Sequence, residues 1–424
     1  MNSRLKVRRI SIMKGSKLSK KETLNGSAEI PDAKKPRHAV QRQPVHLAYL
    51  GSGRGYHVKK WLPALVAQGL RVTLYSFHAP ETTLQGVDVV VLRPPFSRSL
   101  ARLSWVDFCG PTRRLCRLLL ERDVDVLMPS YATSYGWLGA RTGFRPMLLN
   151  TWTFDVSVYP FEGARRFVFK PVVQYAMRRA DVVLTDGAGL ADFVRTRYPI
   201  VPSVVKPVLW GIPLDDYDFS PEIGVMGRKV LGIPAGVPVV ISARGIKKWY
   251  APEVVLPVFE RILAEHTDVH VIVLTLAHER SSRIQSLLAL LASHPRAHVI
   301  DRFLSKREMC EAWAASDVLV SVPPYDGISV GVLEGMYAGV VPVLSDIPSN
   351  RSIIKAGAQG YLLQNVRVGV LVDKLGDVLT QLPTLKASMA PHNRRWITEN
   401  ANVEIAAKRL ANIVRGCFGQ YSKF

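Results

Sequence analysis

The 424-residue chain is 48% apolar and 21% charged, an ordinary globular composition that excludes a wholly disordered protein and suits two or three domains. Its 56 Lys+Arg against 34 Asp+Glu give a net charge of +22. Such a balance suits an anionic lipid surface, a phosphorylated substrate or a merely solvated surface; nucleic acid is not expected, since no RNA-binding aromatic motif, zinc-finger spacing or basic zipper occurs.

Residues 1–43 carry twelve basic and three acidic side chains, and the rest of the chain stays basic at about +13. This segment is rich in Lys, Ser and Pro and lacks periodicity, so it reads as a disordered basic tail or a start codon placed too early; Ile10, Ile12 and Met13 are too few for a signal-peptide core. No apolar run approaches the roughly 18–20 residues of a spanning helix. Cys109, Cys116, Cys310 and Cys417 form no CxxC pair and read as reduced thiols, which points to the cytoplasm.

Order begins with an apolar strand at Val45–Leu50, followed by Gly51-Ser52-Gly53-Arg54-Gly55. Val58, Trp61, Leu62, Leu65 and Val66 then recur at helical spacing, Gly69 stops that helix, and Val72–Phe77 is the next strand. Strands at 87–92, 124–128, 147–151, 182–184 and 204–209, with a helix at 111–122, continue this half. The segment 215–238 reads as turn-rich. A second alternation follows: strands at 239–242, 269–274, 298–300, 318–322 and 341–344, with helices at 252–266, 280–293, 306–315 and 331–338. Repeated strand–helix–strand order predicts an α/β chain of two doubly wound, Rossmann-like domains, 44–210 and 211–391, facing across a cleft. Residues 392–424 read as terminal helices that could pack back on the first domain.

The strongest local pattern runs from Pro323 to Met336: Pro-Pro-Tyr-Asp-Gly-Ile-Ser-Val-Gly-Val-Leu-Glu-Gly-Met. A buried strand leads into a turn and a helix start, where backbone N–H groups and the helix dipole favour an anion. Asp326 and Glu334 straddle the turn and could accept hydrogen bonds from paired hydroxyls; taken alone they also fit a turn cap and a solvated helix face. Gly51-x-Gly53-x-Gly55 is no dinucleotide fingerprint, and Arg71 to Tyr75 offer no acidic residue for an adenosine ribose.

This segment, with Gly339 to Arg351 behind it, resembles glycosyltransferase family 4, which has the two-domain GT-B fold and a Glu-x7-Glu motif; here it reads Asp-x7-Glu. The resemblance spans most of 44–415 and implies a retaining transferase acting on a nucleoside-diphosphate sugar. It assigns the nucleotide ribose to Glu334, the donor sugar to Asp326, and the diphosphate to amides at Gly327, Ile328 and Ser329. Arg244 and Lys248, with Lys247 as the alternative, would clamp the leaving diphosphate. Gly53 would close over the donor, and His57, Trp152 and Asp155 would face the acceptor. A familiar His-x-His-Tyr segment is replaced by Pro129-Ser130-Tyr131, and a His-Gly-Ser-Asp motif by Trp152-Thr153-Phe154-Asp155. Neither a metal nor any other cofactor is expected, because cations and a helix N-terminus replace it; Asp216-Tyr217-Asp218 is poorly placed for one. The expected acceptor is a glycan or lipid-linked group in polysaccharide or cell-envelope synthesis. Basic–aromatic stretches at 93–122 and 161–179 suit an anionic membrane surface at the inner face, and equally suit helices with core-facing apolar sides. Two other readings stay open: an inactive GT-B assembly factor, and a sugar-nucleotide epimerase.

Overall fold

The computed structural model describes residues 43–92, 109–275 and 281–421. The basic tail expected up to residue 42, and residues 93–108 of the first basic–aromatic stretch, lie outside them.

Seven strands form the first half: β1 (His46–Leu50), β2 (Arg71–Ser76), β3 (Val87–Val91), β4 (Val126–Pro129), β5 (Leu148–Thr151), β6 (Val182–Asp186) and β7 (Val205–Val208). They are parallel in the orders β3-β2-β1-β4 and β5-β6-β7, and the bridges Leu127↔Met147 and Ser130↔Asn150 join the two sets. The second half has β8 (Val239–Ser242), β9 (His270–Leu274), β10 (Ala297–Ile300), β11 (Val318–Ser321), β12 (Val341–Ser345) and β13 (Tyr361–Leu363), parallel in the order β10-β9-β8-β11-β12-β13. Strands such as β8, β9 and β12 are buried end to end, as parallel strands covered on both faces require. In both sheets the order reverses beside the first strand of the half, so each has a switch point where ligands bind at the strand C-termini.

The chain crosses between the halves twice, and the crossings are tied together. Ile212 N–H donates to Ala401 O at 2.8 Å and Val403 N–H to Ile212 O at 3.0 Å. Gly211 has φ +69°, and a Cβ there would lie 2.3 Å from Ala401 O, so only glycine fits. Beyond this hinge the helix Val403–Tyr421 returns to the first half. Its Val403, Ala406, Ala407, Leu410, Ala411 and Val414 share a core with Leu47, Val58, Trp61 and Leu65.

Two local expectations differ. The turn-rich reading of 215–238 misses the helix Pro221–Leu231. Its Gly224 and Gly227 suggest a break, but they face the backbone of the helix Lys306–Ala314, where added Cβ atoms would meet Ala314 O at 2.9 Å and Glu311 O at 2.2 Å. The expected boundary at 391/392 falls inside the helix Leu382–Asn400; the chain turns at 401–402 instead.

Candidate active site

The turn after β11 delivers Asp326 and the helix Val330–Ala338. Ser329 caps that helix, its Oγ accepting the Val332 N–H, and Gly339 at φ +86° ends it. Asp326 and Ser329 are drawn together by Arg244, which follows β8. The guanidinium donates to Asp326 Oδ2 and Ser329 Oγ, and its Cζ lies 4.1 Å from the Tyr250 ring centroid. Asp326 Oδ1 accepts the Gly327 N–H at 2.9 Å. Burial raises the Asp326 pKa above the ordinary aspartate value, while Arg244 pulls it back. Arg244 Nε has no partner among the described residues. Lys247 and Lys248 are exposed on the following turn, without a carboxylate partner among the described residues.

Glu334 is not a solvated helix face: it is 8% exposed. Tyr217 O–H donates to its Oε1 at 2.5 Å and Trp313 Nε1–H to its Oε2 at 3.2 Å. Burial pushes its pKa up, against the pull of Tyr217, Lys60 and Trp313. Lys60 comes from the first-half helix Tyr56–Ala67, reaching Tyr217 Oη at 3.4 Å and Asp216 at 3.7 Å; Lys306 also pairs with Asp216 at 2.6 Å. Asp216 is therefore neutralised by two lysines. A carboxylate has about four lone-pair sites, so Glu334 retains capacity for a further hydroxyl.

The first half meets this loop closely. Asp186, at the end of β6, accepts the Ile328 N–H at 3.1 Å. A Cβ on Gly327 would lie 2.9 Å from Thr153 Oγ1 and 3.0 Å from Asp186 Oδ2, and one on Gly189 would lie 2.5 Å from the Pro348 backbone. Phe154 adds edge contacts to Trp249 and Tyr325, with centroids 5.4 and 6.0 Å away. Asp186, Thr153, Lys60, Tyr217 and Trp313 were not singled out in the sequence. The nearest signal was Asp186-Gly187 directly after an apolar strand, the position where α/β sheets present ligands.

The remaining expected residues divide. His57 stacks on Trp152 with centroids 4.3 Å apart, and burial lowers its pKa to about 4, so it is a neutral ring near pH 7. Trp152 Nε1–H is committed to Ser130 Oγ at 3.0 Å. Asp155 is fully buried, its oxygens accept the Ala132 N–H at 2.5 Å and the Trp152 N–H at 2.8 Å, and it so clamps two backbone turns. Gly53 donates its N–H to Ser76 Oγ at 2.8 Å, and a Cβ there would lie 2.3 Å from His78 O, so packing already demands glycine.

Comparison with known proteins follows the same division. Residues 46–187 match the family model described as glycosyl transferase 4-like, and residues 227–402 the one described as glycosyl transferases group 1. No curated protein matches the sequence. Sucrose-phosphate synthase from Thermosynechococcus elongatus superposes with a TM-score of 0.73 at 14% identity, over 89% of this chain and 100% of the other. HepE of Anabaena, solved in complex with UDP-glucose, gives 0.71 at 16% over 88% and 99%. WaaG, a glycosyltransferase involved in lipopolysaccharide biosynthesis, gives 0.69 at 13% over 87% and 100%. Fold and family models together define a glycosyltransferase of the GT-B fold. The chain belongs to the glycosyltransferases of the 4-like and group 1 type.

Proposed function

We propose that the protein is a retaining glycosyltransferase that moves a sugar from a nucleoside-diphosphate donor to a glycan or lipid-linked acceptor. The observation that carries this reading is the convergence of Arg244, Asp326, Ser329 and buried Glu334 around one helix N-terminus. Glu334 would hold the ribose and Asp326 the donor sugar. Arg244 through Nε, Lys248 or Lys247, and the helix dipole would stabilise the departing diphosphate, so the chemistry is expected to proceed without a metal or other cofactor. The bond from the anomeric carbon to the phosphate oxygen breaks while the acceptor oxygen bonds that carbon on the same face. The acceptor proton passes to the departing phosphate oxygen. HepE, solved with UDP-glucose, supports a nucleotide-sugar donor.

Cell-envelope synthesis at the inner membrane face is the setting this reading favours. Phe167 is 73% exposed beside exposed Arg165, Arg166 and Lys170, the arrangement that anionic lipid attracts. Among the described residues no helix is long and apolar enough to cross a membrane, so lipid contact would be at the surface.

Nucleoside-diphosphate release from UDP-, GDP- and ADP-sugars tests the proposal. One donor should turn over, and Glu334→Ala should abolish it. Nucleotide binding without turnover would favour an assembly factor, and a product that stays nucleotide-linked would favour an epimerase.

A further inference from the structure

A cavity of about 210 Å³ lies behind the loop that carries Asp326, between the two halves of the chain. Thr153, Glu162, Asp186 and Phe193 line it from the first half, and Tyr325 and Asp326 from the second. It is smaller than the roughly 300–1,000 Å³ of pockets that bury drug-sized ligands, so its scale is that of one ring. Arg244, Glu334 and Lys248, the expected nucleotide contacts, are not among its lining.

Two polar groups there are not satisfied by the protein. Thr153 is 9% exposed, and its hydroxyl has no hydrogen-bond partner among the described residues. Asp186 is 5% exposed and its Oδ2 accepts the Ile328 N–H, while its Oδ1 has no hydrogen-bond partner among the described residues. A buried hydroxyl without a partner is costly, and its loss is recovered when a ligand supplies one. Burial pushes the Asp186 carboxyl up to about 7, so near neutral pH it can accept a hydrogen bond or, when protonated, donate one.

The charge of the lining narrows the ligand. Asp186, Glu162 and Asp326 are carboxylic, and no Lys, Arg or His is among the described residues that line the cavity. That contrasts with a chain of net charge +22. A phosphate or carboxylate here would face carboxyl groups with no cation among the described lining residues to pair with it. Phe193 and Tyr325 add aromatic surface to the lining, a kind of surface that packs against C–H groups.

We propose that this cavity holds the acceptor's terminal sugar ring, that the ring is uncharged, and that Asp186 and Thr153 recognise its hydroxyls. The inference rests on the glycosyl-transfer reading and moves the acceptor contacts from His57 and Asp155 to Asp186 and Thr153.

Ligand-observed saturation-transfer NMR on the full chain, with UDP present, tests it. The probes are methyl hexopyranosides, glucose 1-phosphate and glucose 6-phosphate, and UDP binding is titrated in parallel. At least one neutral glycoside should bind and both phosphates should not. Asp186→Ala and Thr153→Val should each weaken that glycoside at least tenfold while UDP affinity stays within about threefold. Phosphate preference, glycoside binding unaltered by both substitutions, or UDP binding with no glycoside bound overturns the proposal. If Asp186→Ala instead erases the difference in affinity between UDP-glucose and UDP, the ring belongs to the donor and the acceptor assignment fails. Absence of binding by UDP, GDP and ADP alike removes the parent reading, a different failure from the others.

Discussion

Replacing Arg244 by Met is the most informative perturbation of the donor loop. The Arg244 and Asp326 side chains are 15% and 12% exposed, so solvent screens the pair little. Removing one partner of a buried ion pair costs about 3–5 kcal/mol, because the other charge stays buried. At roughly 2–4 °C per kcal/mol for a domain of this size, the melting temperature should fall by on the order of 10 °C at pH 8. The loss should depend on pH with a defined sign. Burial already raises the Asp326 pKa from 3.8, and losing Arg244 raises it further. Folding then favours the protonated acid, so the variant's deficit is small near pH 4 and grows as pH rises through the raised pKa. Scanning calorimetry from pH 4 to 8 reads this directly. Arg244→Met combined with Asp326→Asn should recover most of the stability and none of the sugar transfer. A deficit below about 1 kcal/mol at every pH would show that Arg244 and Asp326 form no buried ion pair, and transfer by the double variant would show that neither is needed at the donor.

Other expectations follow from the same contacts. Asp155→Ala strands two buried N–H groups and should cost about 2–5 kcal/mol in chemical denaturation, leaving transfer per folded molecule nearly intact; a stable variant with a raised acceptor KM would return Asp155 to the acceptor site. Gly189→Ala places a Cβ 2.5 Å from the Pro348 backbone, so it should separate the halves, increase the radius of gyration in X-ray scattering and lower kcat. No change in either measurement would contradict that. Tyr217→Phe removes the hydrogen bond that holds down the Glu334 pKa, so the acid limb of the kcat/KM profile should move to higher pH. An unmoved limb would show that Glu334 does not titrate in the donor complex.

The fold was legible because its strands are apolar runs punctuated by glycine, and twelve of the thirteen fall where the alternation puts them. β13 (Tyr361–Leu363) escaped because three residues carry no periodicity. The helix Pro221–Leu231 escaped for the opposite reason: its glycines serve helix packing and imitate a turn. In the site, Arg244, Asp326, Ser329 and Glu334 could be found because they sit on one local pattern and one strand end. Their partners could not. Tyr217 meets Glu334, and Lys60 reaches Tyr217, only through the tertiary fold: Tyr217 is 117 residues from Glu334 and Lys60 belongs to the other half of the chain. The contacts of Asp155 were not legible either, because they are with backbone N–H groups, which leave no mark on residue spacing.

In the proposed donor complex Glu334 binds the ribose of a nucleoside diphosphate. Calorimetric titration should compare the nucleoside diphosphate that most stabilises the protein with its 2′,3′-dideoxy analogue, in wild type and Glu334→Ala. Hydrogen bonds to a carboxylate contribute about 1.5–3 kcal/mol, so wild type should prefer the ribose form by tenfold or more. Glu334→Ala should bind the two forms equally. Equal binding by wild type, or a ribose preference that survives the substitution, would exclude Glu334 as the ribose ligand.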